Sequence, residues 1–153
     1  MNDQLTRDRL EIVELCVRMG WHLDHCEWDR LLELFTDEIS LDYTSLNGGE
    51  VIELPRKDVI EKWRTNREGL TATQHLIANQ VVNLDGDEAT ATAMFQATHL
   101  LPNPYGAPTW TLGGRYRYGL IRTEAGWRIC SLAMSIIWAD GNRHIRDLAL
   151  ESR

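Results

Sequence analysis

From Thr71 onward the chain alternates apolar and polar side chains in long runs separated by turn residues, and this restricts the possible folds more than any other feature. In a strand successive side chains point to opposite faces, so parity sorts them onto two sides of a sheet. Between Ala89 and Leu101 the odd positions read Ala89, Ala91, Ala93, Phe95, Ala97, His99 and Leu101, while the even ones include Thr90, Thr92, Gln96 and Thr98. Between Trp110 and Arg122 the even positions carry Trp110, Leu112, Gly114, Tyr116, Tyr118 and Leu120, and Arg115 and Arg117 fall on the other side. Around His75 parity is ambiguous, because Ile77 and Val81 share its side but so do Asn79 and Asn83. Val82, Met94 and Leu100 have the opposite parity and predict a second, outward apolar face. Asp85-Gly86-Asp87 and Glu124-Ala125-Gly126 are hairpin turns, and Pro102 to Pro108 is a longer loop. The expectation is a meander of four long strands.

The earlier part has a different period. Leu5, Ile12, Leu15, Cys16, Met19 and Leu23 recur at three- and four-residue steps, which predicts a helix with one apolar stripe. A short second helix is expected from Trp28 to Phe35, ended by Asp37-Glu38. Ile39, Leu41 and Tyr43 alternate with Ser40, Asp42 and Thr44 as a strand, and Asn47-Gly48-Gly49 reads as a turn. After a short strand, a third helix runs from about Pro55 to Arg67, since proline suits a first turn whose N–H needs no partner. Helices followed by strands predict an α+β fold with helices on one face of a mostly antiparallel sheet, as a single domain over residues 1–153.

Composition narrows the function classes. The chain has 153 residues, 43% hydrophobic and 25% charged, as expected of one globular domain. A net charge of −7 disfavours nucleic-acid and anionic-membrane partners, which need clustered Lys and Arg. Cys16, Cys26 and Cys130, odd in number and without a paired motif, read as free thiols in a reducing cytoplasm. The N-terminal residues lack the apolar segment of a secretory signal, and no run approaches the ~20 apolar residues of a membrane span. Glycine-rich phosphate loops, zinc-protease helices and serine-nucleophile elbows are missing. His22, His25 and Cys26 share one helical turn without a second ligand pair, so no metal or other cofactor is expected.

The polar residues on the inner parity are more informative. Tyr43, His99 and Tyr116 keep company with apolar neighbours. A buried polar group costs about 1–3 kcal/mol unless it finds a hydrogen bond. Any one of them alone reads as a core residue bonded to a backbone carbonyl. Several converging on one face read as the lining of a polar pocket.

The segments Leu23-Asp24-His25-Cys26-Glu27-Trp28-Asp29-Arg30-Leu31, Ile39-Ser40-Leu41-Asp42-Tyr43, Thr73-Gln74-His75 and Gly126-Trp127-Arg128-Ile129 carry a resemblance. Together they resemble the SnoaL-like branch of the nuclear transport factor 2-like superfamily, and within it the scytalone dehydratases. The resemblance runs from about residue 8 to residue 140. It implies a cone-shaped, curved antiparallel sheet of cystatin-like type, wrapped by N-terminal helices around a cavity. It also implies catalytic roles for Asp24, His75, Tyr43 and His99. Trp110, Tyr116, Phe95 and Leu23 would then line the substrate site. Three positions depart from the family pattern: Leu23 stands where the family has a tyrosine, and Gly114 and Tyr116 stand for a serine and an asparagine. A substrate other than scytalone is therefore expected.

An imidazole bonded to a buried carboxylate is fixed in one tautomer and suits a general base near neutral pH. The expected reaction is dehydration of a hydroxylated cyclic ketone or polyketide-like substrate of secondary metabolism. In it His75 takes the proton, Asp24 orients it and Tyr43 stabilises the enolate oxygen. His99 either protonates the leaving hydroxyl or binds a second oxygen. Polyketide cyclisation and double-bond isomerisation begin with the same step and remain open, as does a non-catalytic binding module. The outward parity of Arg115 and Arg117 disfavours epoxide opening. The apolar outward face predicts a homodimer or homotrimer.

Overall fold

The computed structural model describes residues 3–152. Helix α1 (Asp3–Asp24) buries Ile12, Leu15, Cys16 and Met19 as the periodicity predicts. Its buried face opens with Asp8 rather than Leu5, which is 49% exposed. Helix α2 (Trp28–Leu32) is shorter than expected. Phe35 starts strand β1 (Phe35–Asp42) instead of ending the helix, and Asp37 and Glu38 lie inside that strand. Tertiary pairing overrides the local acidic signal there. Phe35, Ile39 and Leu41 turn into the core while the backbone pairs with strands on both sides.

The expected turn at Asn47 is preceded by a single helical turn, α3 (Thr44–Asn47). The Asp42 carboxylate starts it by accepting from the Thr44 amide (3.1 Å) and hydroxyl (2.7 Å). Strand β2 (Ile52–Pro55) leads into α4 (Arg56–Glu68), with Pro55 just before the first helical residue. Val59, Ile60 and Trp63 form the buried face of α4.

The four long strands are β3 (Ala72–Asp85), β4 (Glu88–Leu100), β5 (Thr109–Thr123) and β6 (Gly126–Gly141). The sheet order is β2-β1-β6-β5-β4-β3. Among the described residues only the β1–β6 pair is parallel, which makes this curved sheet mixed. A final helix, α5 (Ile145–Glu151), has no counterpart in the sequence reading. Gly69 admits it: a Cβ there would lie 1.9 Å from the Ala149 carbonyl oxygen.

Strand β3 resolves the ambiguous parity. Its register with β4 shifts between Ala78 and Val81, and Asn79 takes φ = 55°. Such a bulge swaps the faces of everything beyond it. Thr73, His75 and Ile77 face inward before it; Gln80, Val82 and Leu84 do so after it. Val82 is consequently buried, and Val81 is 58% exposed, correcting the outward placement of Val82. The parities of β4 and β5 hold throughout, with Arg115 and Arg117 outside. Among the described residues no helix is long and apolar enough to cross a membrane.

Candidate active site

The concave face of the sheet, α1, and the adjoining ends of α4 and α5 enclose a cavity of about 140 Å³. Leu23, Tyr43, His75, Phe95, His99, Trp110 and Tyr116 all line it, and Asp24 stands directly behind His75. Every residue singled out from the sequence for this site therefore lies in one place. Gly20 helps bring them together, because α1 crosses β3 so closely that a Cβ there would sit 3.0 Å from the His75 Cβ. One turn further along, Asp24 reaches the same strand.

The Asp24 carboxylate is held at three points. Oδ1 accepts from His75 Nδ1–H (2.7 Å) and from the Thr73 hydroxyl (2.8 Å). Oδ2 accepts from the His75 backbone N–H (2.7 Å). Burial pushes this carboxyl's pKa up, but the hydrogen bonds and charge of His75 together with Thr73 outweigh it and hold the pKa below the ordinary 3.8. Asp24 is thus ionised at neutral pH, and an ionised carboxylate only accepts. That places a proton on His75 Nδ1, so that in the neutral imidazole the bare nitrogen is Nε2.

His99 presents a second bare nitrogen. Its Nδ1–H donates to the Trp110 carbonyl (3.1 Å), which leaves Nε2 as an acceptor. Burial, above all, pushes its pKa down to about 4. The Trp110 carbonyl and the Asp24 charge resist, while the charges of His75 and Arg146 add to the fall. The two imidazoles meet edge to face with centroids 6.4 Å apart. The hydroxyls of Tyr43 and Tyr116 are the complementary donors. Burial raises both pKa values above the ordinary 10.0, so both stay protonated. The walls are aromatic: Phe95 stacks on Tyr116 (4.2 Å) and Tyr43 on Trp63 (6.4 Å).

A pH dependence of stability follows. The unfolded His99 binds its proton near 6.5, whereas the folded one does so only near 4. The unfolded state thus holds more protons in that window, and stability falls as pH drops through it, by about 1–3 kcal/mol. Chemical denaturation of His99→Gln between pH 6.5 and 4 should lose this slope. An unchanged slope would contradict a buried neutral imidazole. The Asp24 contribution disappears separately, below its ordinary 3.8.

Sequence reasoning missed Trp63, Arg67 and Arg146 in the lining. Strand parity could not show them because they come from helices. Thr73 was legible only as part of the Thr-Gln-His motif; its parity with His75 is the signal for its bond to Asp24.

A family model described as a SnoaL-like domain matches residues 4–133. The crystal structure of a protein from Kribbella flavida is 31% identical, covering 94% of this chain and 99% of that one with a TM-score of 0.89. A candidate scytalone dehydratase from Novosphingobium aromaticivorans is 19% identical, with coverages of 94% and 93% and a TM-score of 0.75. A nuclear transport factor 2-like protein of cystatin-like fold from the same organism is 24% identical, with coverages of 95% and 90% and a TM-score of 0.69. The last two likenesses are of fold.

Proposed function

Because the chain belongs to the SnoaL-like domain family, we propose that it is a cofactor-independent lyase that dehydrates a hydroxylated cyclic ketone of single-ring size. The observation that carries this is the Asp24–His75 hydrogen bond at the cavity wall, 2.7 Å long, which leaves Nε2 as a positioned base. Size supports the single ring: a cavity of about 140 Å³ is close to the ~150 Å³ engineered cavity that accommodates benzene.

In the proposed reaction His75 Nε2 takes the proton from the carbon beside the carbonyl. The C–H electrons pass into an enolate whose oxygen accepts from the Tyr43 or Tyr116 hydroxyl. The carbonyl re-forms as the β C–O bond breaks. The departing hydroxyl takes the proton back from the His75 imidazolium and leaves as water, with an enone as the other product. His99 serves this scheme by accepting from a substrate hydroxyl rather than by donating, because its one proton is engaged with Trp110. The convergence of acceptors and donors on one cavity supports catalysis over simple binding, for which hydrocarbon walls suffice.

The test is an assay for enone formation from hydroxylated cyclic ketones, with product analysis separating dehydration from isomerisation. Asp24→Asn is expected to lower kcat by about 10²-fold or more, because an amide at that position no longer dictates the His75 tautomer. Full turnover in this variant would sink the dyad.

A further inference from the structure

The mouth of the cavity carries a charge pattern that the elimination does not use. Its lining includes Arg67 and Arg146 and not one Asp or Glu, although the chain as a whole has a net charge of −7. Neither arginine has a carboxylate partner among the described residues. Arg67 gives its terminal nitrogens to the carbonyls of Leu70 (3.1 Å) and Asp24 (3.3 Å), and its Nε is buried without a hydrogen-bond partner. Arg146 donates one nitrogen to the Asn47 side chain (3.1 Å), and its guanidinium carbon lies 5.8 Å from the Trp110 ring centroid. Such contacts orient a guanidinium without neutralising it, and a planar fork with spare donors matches a carboxylate.

We propose that Arg146, supported by the charge of Arg67, binds a carboxylate on the substrate, so that the ketone ring is an acid and not a neutral polyol. This rests on the lyase reading of the same cavity and specifies its substrate class. The geometry gives the reason. From Arg146 the path runs 5.8 Å to the Trp110 ring, 5.1 Å on to His99, and 6.4 Å on to His75. A ring whose carboxylate is held by Arg146 thus lies against Trp110 and beside His99, on the side of the cavity that leads to His75. The anchor also fixes the orientation, which apolar walls alone would leave free. A phosphate monoester presents the same kind of charge, but the small cavity favours the smaller, planar group.

Calorimetric titration of the full chain with benzoate and its neutral isostere benzamide tests this without any knowledge of the substrate. Benzoate should bind at least about tenfold more tightly, by an affinity that weakens with salt. Arg146→Gln should bring benzoate down to the benzamide level and leave benzamide unchanged. Asn47→Ala removes the partner of Arg146 but keeps its charge, and should preserve the preference. His75→Gln removes the proposed base and should also preserve it, so the anion site and the elimination fail separately. Equal affinities, no measurable binding of either compound, or a loss in Arg146→Gln shared by benzamide would overturn the proposal. Tighter binding of phenyl phosphate than of benzoate would overturn the carboxylate assignment.

Discussion

His75→Ala is expected to lower kcat by about 10²–10⁴-fold on any ketone that the protein dehydrates, the range for losing a positioned general base. The fold should survive, because Asp24 is not stranded. Its Oδ1 keeps the Thr73 hydroxyl and its Oδ2 keeps the residue-75 backbone N–H, which the substitution leaves in place. Ligand affinity should change far less than kcat, since the aromatic walls and the two tyrosine hydroxyls remain. The variant also leaves a hole of imidazole size beside an ionised carboxylate. Added imidazole should therefore restore part of the rate in a saturable manner, which no purely structural role of His75 would produce. A kcat within a few-fold of the parent protein would remove His75 from the reaction. A loss accompanied by a lowered unfolding temperature and no rescue would reassign it to the core.

The residues that were legible in the sequence and those that were not differ in a physical way. On β4 and β5 the alternation runs without interruption, so parity alone placed Phe95, His99, Trp110 and Tyr116 on the inner face. On β3 a single residue, Asn79, reverses it. Asparagine tolerates positive φ better than most residues, so the clue was present, but nothing local says that the bulge forms there. Phe35 shows the opposite limit, where pairing with distant β6 turned an expected helix end into the start of a strand. Asp24 and His75 are 51 residues apart, and only the crossing of α1 over β3 at Gly20 joins them. The resemblance supplied that pair; periodicity did not. Arg67 and Arg146 come from the ends of two helices, one of them unanticipated, and no pattern in the chain announces that both face one cavity.

The largest expected loss of stability comes from the opposite end of α1. Asp8 is 2% exposed and is the buried acid of the core. Both its oxygens accept from Arg122 at 2.8 Å, and Oδ1 also accepts from the Trp127 indole at 3.0 Å and from Gln4 at 3.0 Å. The Arg122 hydrogen bonds, foremost, hold its carboxyl well below the ordinary carboxylate range, with Trp127, Gln4 and the guanidinium charge adding to them against burial. Removing one partner of a buried ion pair costs about 3–5 kcal/mol because the other is left uncompensated. Here Arg122 retains Asp87 (2.9 Å) and is 31% exposed, so water relieves part of that loss. The Trp127 indole N–H is not relieved, since that residue is 0% exposed. Asp8→Ala should therefore lower the unfolding free energy by about 3 kcal/mol. The sign with pH is set by the depressed folded value. The contribution is complete above the unfolded pKa of 3.8 and fades as pH falls below it, so the parent and variant curves should converge in acid. Urea denaturation at neutral and acidic pH measures both. A neutral-pH loss under about 1 kcal/mol, typical of an exposed pair, would mean that Asp8 and Trp127 share their site with water. In that case α1 would be anchored to the sheet by its apolar stripe and by the hydrogen bonds of Arg9, Glu11 and Asp24.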